Sequence, residues 1–176
     1  KGLLVAMPTE TVYGLGADAL NEAAAKRIFE VKGRPPTDPL IVHITDLALM
    51  GTLWDVCDDT RAMASAIAAA LWPGPITLVA RAAEIVPTAV TGGSGFVGLR
   101  SPAHPVARAL IDVSGKCIAA PSANTFGHVS PTTAAHVAVD LAPRDETLTI
   151  LDGGACTVGV ESTVVRINSP KSLEIL

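Results

Sequence analysis

Short aliphatic runs at residues 3–7, 40–44, 76–80, 97–99 and 117–120 alternate with stretches whose apolar residues recur at helical spacing. Runs of this length are too short for helices and are bounded by turn residues, so they read as buried strands. Further strands are expected at 148–151, 162–167 and 173–176, with helices over 21–32, 59–71, 104–113 and 132–141. Strands and helices that alternate along one chain make an α/β fold, a sheet covered by helices. The core must be packed from Ala, Val, Leu and Ile, because hydrophobic residues are 49% of the chain and aromatic ones only 3%. At 176 residues the chain fits one domain with a core of useful size.

Local signals sharpen this outline. Asn21 suits a helix N-cap, followed by Ala24, Ile28 and Val31 on one face and a Glu22–Lys26 pair on the other. Gly33 and Pro35 stop that helix. The second helix sets Met63, Ile67 and Leu71 in line, and the third does the same with Val106, Leu110 and Val113. The fourth is expected to start with Ser130 as cap and Pro131 at its first position. Residues 9–20 read as a Thr- and Gly-rich loop, and residues 91–95 as a flexible Gly-rich one. Trp72-Pro73-Gly74-Pro75 is a rigid breaker, since neither proline can donate and each restricts the residue before it.

Charge and cysteine usage narrow the function classes. Thirteen Lys and Arg against seventeen Asp and Glu give a net charge of −4, the wrong sign for a dedicated nucleic-acid binder, although a local basic pocket is compatible with it. Cys57, Cys117 and Cys156 are widely spaced and odd in number, which fits a reducing, cytoplasmic setting better than a disulfide framework. No apolar run reaches the length of a membrane span, so no membrane partner is expected. The apolar run at 3–7 is brief and leads into a polar loop, unlike a signal peptide. The sequence begins and ends inside apparent strands, as a piece trimmed at both ends would.

Two small clusters carry the first functional hint. Lys32-Gly33-Arg34 offers two cations at a helix end, followed by the stiff Pro35-Pro36-Thr37-Asp38-Pro39. Ser122-Ala123-Asn124 offers a hydroxyl and an amide just past a buried strand, where α/β sheets bind ligands. Together they suit a site that grips a nucleotide by charge and hydrogen bonds, with Arg34 forking phosphate oxygens and Lys32 acting as a point charge. Taken singly, each has a plain structural explanation: cations complement a helix dipole, and Ser or Asn stabilises a turn. His43 suits a satisfied core histidine, and Arg100, at the end of an apolar strand, needs an anionic partner. Gly14-Leu15-Gly16-Ala17-Asp18-Ala19 fits G-x-G-x-x-A, but no helix follows it directly, as a dinucleotide turn requires. There is no P-loop motif, and a Ser122–His43–Asp152 triad lacks nucleophile-elbow spacing.

The ordered set of motifs is more specific than any one of them. Pro8-Thr9-Glu10-Thr11-Val12-Tyr13-Gly14-Leu15-Gly16, Lys32-Gly33-Arg34-Pro35, Pro39-Leu40-Ile41-Val42-His43 and Trp72-Pro73-Gly74-Pro75-Ile76-Thr77 come first. Arg100-Ser101-Pro102-Ala103-His104-Pro105, Ala120-Pro121-Ser122-Ala123-Asn124, Ser130-Pro131-Thr132, Asp152-Gly153-Gly154 and Gly159-Val160-Glu161-Ser162-Thr163 follow. In this order they resemble the YrdC-like threonylcarbamoyl-AMP synthases along nearly the whole chain. The resemblance implies one YrdC-like catalytic domain over residues 1–176, a twisted, open mixed α/β sheet flanked by helices, with a concave ligand site. It implies condensation of L-threonine, bicarbonate or CO2, and ATP into threonylcarbamoyl-adenylate with release of pyrophosphate. A separate transferase complex would then carry the group to tRNA, which is itself a candidate partner.

By the same resemblance Thr11, His43, Arg100, Ala120 and Ser162 would hold threonine. Arg34, Asp38, Ser122, Asn124 and Ser130 would hold ATP, and Lys32 and Arg34 would serve the reaction. Mg2+ would ride on the nucleotide, with no metal cage made by protein alone. Family members continue into an Arg-Pro-Gly segment that contacts the nucleotide, and Phe96 stands where a smaller polar residue often lies beside ATP. Two alternatives remain: a carbamoyl-adenylate-forming carbamoyltransferase domain, and a non-catalytic RNA-binding module.

Overall fold

The computed structural model describes residues 2–176. In chain order the elements are β1 (Val5–Met7), β2 (Gly14–Asp18), α1 (Glu22–Lys32), β3 (Ile41–His43), α2 (Leu49–Leu53), α3 (Asp58–Leu71), β4 (Ile76–Arg81), α4 (Thr88–Thr91), β5 (Phe96–Arg100), α5 (Pro105–Ser114), β6 (Ile118–Ala119), α6 (Ala134–Leu141), β7 (Thr149–Ile150), β8 (Thr163–Ser169) and β9 (Ser172–Ile175). The strands make one open mixed sheet in the order β7-β1-β2-β6-β3-β5-β4-β8-β9. The pairs β1–β7, β3–β5 and β4–β8 are parallel and the others antiparallel.

Alternation along the strands supplies both faces of the sheet with core. Ala6, Leu15, Ala17, Val42, Leu78 and Leu99 join the large cluster with α1 and α3. Met7, Ile118 and Ala120 join a smaller one with Ala107 and Ile111 of α5. Among the described residues no helix is long and apolar enough to cross a membrane, and all three cysteines are free thiols.

Several expectations needed correction. Residues 14–18 are a strand, not loop. The reason lies in its neighbour: a Cβ on Gly16 would sit 2.8 Å from Ile118 Cγ2 and 3.2 Å from the Val5 carbonyl oxygen. Glycines that make room for an adjacent strand give no alternation to read. The buried line of α3 is Thr60, Ala64 and Ala68, whereas Leu71 is exposed. In α5 Ala107 and Ile111 face inward and Val113 is 89% exposed. Small residues bring these helices close to the sheet, and the larger apolar ones flank the contact. The last helix starts at Ala134 with Thr133 as its cap. The preceding residues are held extended, because Tyr13 N–H donates to the Pro131 carbonyl at 2.8 Å and Cys156 N–H to that of Thr132 at 2.9 Å.

Candidate active site

The site is built where the ends of β3, β5 and β6 meet the loops around Thr9–Gly14, Pro121–Asn124 and Gly159–Ser162. His43 and Arg100 are register partners on the parallel strands β3 and β5, so they stand side by side. Loop 121–123 is zipped onto the start of β2, with Leu15 N–H donating to the Pro121 carbonyl at 2.8 Å and Ala123 N–H to that of Tyr13 at 2.7 Å. The 158–159 amides donate to the carbonyls of Glu10 and Thr11 at 2.8 and 3.0 Å. These bonds bring Glu161 and Ser162 over the site.

A chamber open to solvent on one side is lined by Thr9, Thr11, Arg34, His43, Arg100, Ala120, Ser122, Glu161 and Ser162, among others, and has a volume of about 170 Å³. A second chamber of about 380 Å³ adjoins it and shares Arg34, Pro39 and Ile41. Its walls include Asp38, Leu40, Val79, Phe96 and Val164, a mostly apolar lining suited to a flat ring.

Arg100, 4% exposed, is the most buried charged group lining the inner chamber. Its Nη2 donates to Glu10 Oε1 at 2.7 Å and its Nη1 to Thr11 Oγ1 at 2.9 Å. The other carboxylate oxygen of Glu10 accepts from Ala103 N–H at 3.0 Å. Glu10 is therefore the anionic partner that a buried guanidinium requires, and it was missed as a site residue. Only Arg100's need of an anion was visible in the sequence; the residue that meets it lies ninety positions away. Arg100 Nε and Arg34 Nε are buried N–H groups without a partner. Both belong to side chains that line the chamber. A third such group, Arg61 Nε, lines neither chamber; it is beside a chamber that a buried guanidinium hydrogen left over can receive an anionic ligand oxygen.

His43 Nδ1 lies 3.3 Å from the Ile118 carbonyl. A carbonyl only accepts, so Nδ1 carries the proton and Nε2 keeps its lone pair. Burial, and then the charge of Arg100, lower the His43 pKa to about 3, so the ring stays neutral. Ser162 Oγ and Thr77 Oγ1 are 2.7 Å apart, and Ser130 Oγ donates to Glu161 Oε1 at 2.7 Å.

Thr11, His43, Arg100, Ala120 and Ser162 are brought to one chamber as the motifs suggested, and Arg34 and Ser122 join them. Asp38 lines the second chamber, 3.7 Å from Arg34. Ser130 is held by Glu161 and is not a wall of either chamber. Lys32 and Asn124 stand behind the chamber wall. Lys32 is 1% exposed, and its ammonium donates inward to the carbonyls of Ser122, at 2.6 Å, and Asn124. Asn124 is buried, and its amide donates to the carbonyls of Thr125 and His128 at 2.9 and 2.8 Å. Neither side chain lines a chamber. The cause is the end of α1, where Gly33 turns left-handed at φ 63° and Arg34 N–H returns to the Phe29 carbonyl at 3.1 Å. That turn leaves Lys32 on the last inward-facing position and sends Arg34 out to the site.

Comparison with known proteins places the chain in a family. Residues 1–176 match the model of the Sua5/YciO/YrdC family, described as telomere recombination. The chain is 51% identical over 167 residues to a threonylcarbamoyl-AMP synthase of Pyrococcus abyssi, covering 95% of this chain and 48% of that protein. It is 48% identical over 163 residues to the enzyme of that name from Bacillus subtilis, covering 92% and 46%. The crystal structure of P. abyssi Sua5 complexed with L-threonine superposes with a TM-score of 0.93 at 48% identity, over 99% of this chain and 50% of that one. The chain thus spans about half the length of these relatives. With a family model matched over residues 1–176 and this likeness in fold and sequence, the chain belongs to the Sua5/YciO/YrdC family.

Proposed function

We propose that this chain makes L-threonylcarbamoyl-AMP from L-threonine, bicarbonate or CO2, and ATP, releasing pyrophosphate, as the first step of threonylcarbamoyladenosine formation in tRNA. The observation that carries the reading is the pair of unpartnered buried guanidinium hydrogens, on Arg100 and Arg34, at one chamber. Arg100 Nε would take the threonine carboxylate. Neutral His43 would accept from the threonine hydroxyl through Nε2, and Thr11, the Ala120 backbone and Ser162 would complete the shell. Polar groups that fit a hydroxyl reject an apolar analogue strongly, because they would be left unpaired.

Arg34 would bind the phosphates where the two chambers meet, with Ser122 beside it and Asp38 toward the ribose and base in the second chamber. Ser130, through Glu161, would fix the rim. The threonine nitrogen first forms a bond to the carbon of CO2 and loses a proton. A carbamate oxygen then attacks the α-phosphorus while the bond to the β-phosphate oxygen breaks and pyrophosphate leaves. No side-chain nucleophile takes part; this chain's residues position the reactants and stabilise charge. Among the described residues no three or more His, Cys, Asp or Glu gather as a metal site. Mg2+ would be held by the nucleotide's phosphate oxygens, where it would offset their charge. The transferase complex and tRNA are downstream partners in this proposal.

Pyrophosphate release, measured with and without threonine, tests the reading. Release that requires threonine and bicarbonate supports it. Turnover indifferent to threonine but dependent on carbamoyl phosphate would assign the domain to carbamoyltransferase chemistry instead. Salt-sensitive tRNA binding without pyrophosphate release would favour an RNA-binding module.

A further inference from the structure

The ammonium of Lys32 reaches no chamber, yet it is aimed at the loop that does. Its Nζ donates to the Ser122 carbonyl at 2.6 Å and to the Asn124 carbonyl, with Asn124 Oδ1 at 3.5 Å as a third acceptor. Three acceptors match the three hydrogens of an ammonium. The cation therefore grips both ends of the tripeptide Ser122-Ala123-Asn124, whose middle amide is tied to the Tyr13 carbonyl at 2.7 Å. The grip is mutual: the backbone carbonyl of Lys32 accepts from Phe126 N–H at 2.8 Å. With carbonyls 122 and 124 turned inward, Ser122 is left to line the chamber that Arg34 also lines.

We propose that Lys32 is a positioning residue, an internal anchor that fixes the 122–124 loop so that Ser122 meets the nucleotide, and that it does not touch phosphate itself. This rests on the reading of the chamber as a nucleotide and threonine site.

The anchor depends on a proton. A neutral amine has two hydrogens for three acceptors and no charge to hold them. The charged groups around Nζ are Arg34 on its own segment, Asp140 of α6 and Glu161 of the 159–162 loop. Burial, then Arg34, lower the Lys32 pKa to about 8, while Asp140 and Glu161 oppose the shift. Asp140 is itself committed to the same loop, accepting from Thr125 N–H at 2.8 Å and Thr125 Oγ1 at 2.9 Å, and it faces His128 Nδ1 at 3.0 Å. As pH rises through about 8, the anchor should release while the fold holds. In the unfolded chain the lysine keeps its proton to higher pH, so loss of the proton favours the folded state over that interval.

The experiment uses the whole chain and three readouts. Nitrogen-15 NMR of the lysine ammonium reports the Lys32 titration and its scalar coupling to the 122 carbonyl, with no substrate present. Calorimetry then measures Mg·ATP and threonine binding from pH 7 to 8.8. The expected result is a coupled Nζ that titrates near 8, a tenfold or larger fall in Mg·ATP affinity with the same midpoint, and threonine affinity changed less than threefold. Lys32→Met should weaken Mg·ATP at least tenfold at pH 7 and erase its pH limb, with threonine binding kept. Coupling to the 122 carbonyl that disappears when Mg·ATP is added would mean direct phosphate contact and overturn the proposal. So would Mg·ATP affinity that ignores the Lys32 titration. If Lys32→Met fails to fold, the wild-type titration alone decides. A coupled, titrating Nζ in a chain that makes no adenylate would retain the anchor and reject the functional reading.

Discussion

Replacing Glu10 separates the two jobs of the Arg100 pair. Glu10 and Arg100 have side chains 10% and 4% exposed, with a 2.7 Å contact between them. Glu10→Ala leaves the guanidinium with a single protein acceptor, Thr11, and strips the Ala103 amide of its 3.0 Å bond. Removing one partner of a buried pair costs about 3–5 kcal/mol, because a charge remains without compensation. For a chain of this size each kcal/mol moves the melting temperature by about 2–4 °C, so the variant should melt roughly 6–20 °C lower. Glu10→Gln keeps one acceptor oxygen but turns its NH2 toward a donor, and should lose about 1.5–3 kcal/mol, the worth of a hydrogen bond to a charged group. Urea unfolding with an unchanged m-value measures both. Threonine binding distinguishes orientation from bare charge. If net charge at the chamber ruled, removing a carboxylate would tighten binding of the threonine carboxylate. If the fork must be aimed, binding weakens. We expect weaker binding in Glu10→Gln. A stability loss under about 1 kcal/mol, the range of exposed ion pairs, would refute the burial reasoning. Tighter threonine binding would refute the positioning role.

Further outcomes follow from the same geometry. Arg34→Ala should abolish Mg·ATP binding measured by calorimetry while threonine binding survives, since Arg34 stands where the two chambers meet. Gly16→Ala places a methyl 2.8 Å from Ile118 Cγ2 and should cost about 1–3 kcal/mol by urea unfolding. In a double-mutant cycle with Ile118→Ala, which removes Cγ2, the combined loss should be smaller than the sum of the two separate losses. His43 is neutral in the fold with its pKa lowered to about 3. Its stabilising contribution is complete above about 6.5, the unfolded value, and is lost as pH falls toward 3. Threonine binding should accordingly show no histidine limb between pH 6 and 7.5, and replacing His43 with Gln should remove part of the acid sensitivity of unfolding.

Much of the outline is legible in local chemistry. Asn21 does cap α1 through its side chain, accepting from Ala24 N–H at 3.1 Å, and Glu22 and Lys26 do pair at 2.7 Å. Asn21 at one end of α1 and Gly33 at the other fix that helix because capping is settled within a turn of chain. The aliphatic strands β3, β4 and β6 are equally plain, since sheet burial on both faces writes itself as an apolar run. What the helices bury is less so: a stripe of alanines packs closest, and hydropathy favours the bulkier residues beside it.

The two clusters that drew attention in the sequence, Lys32-Gly33-Arg34 and Ser122-Ala123-Asn124, are indeed neighbours. The sequence by itself determined that these residue types exist, that a helix ends between Lys32 and Arg34, and that a buried arginine at position 100 must meet an anion. Tertiary structure alone decided that Lys32 turns inward to hold the second cluster while Arg34 turns outward to the chamber. It also chose Glu10 as the partner of Arg100 and made a strand of the glycines at 14 and 16. The physical reason is common to all three. Charge pairing and close backbone approach depend on atoms brought together across the sheet, and no local pattern in the chain records which of them will meet.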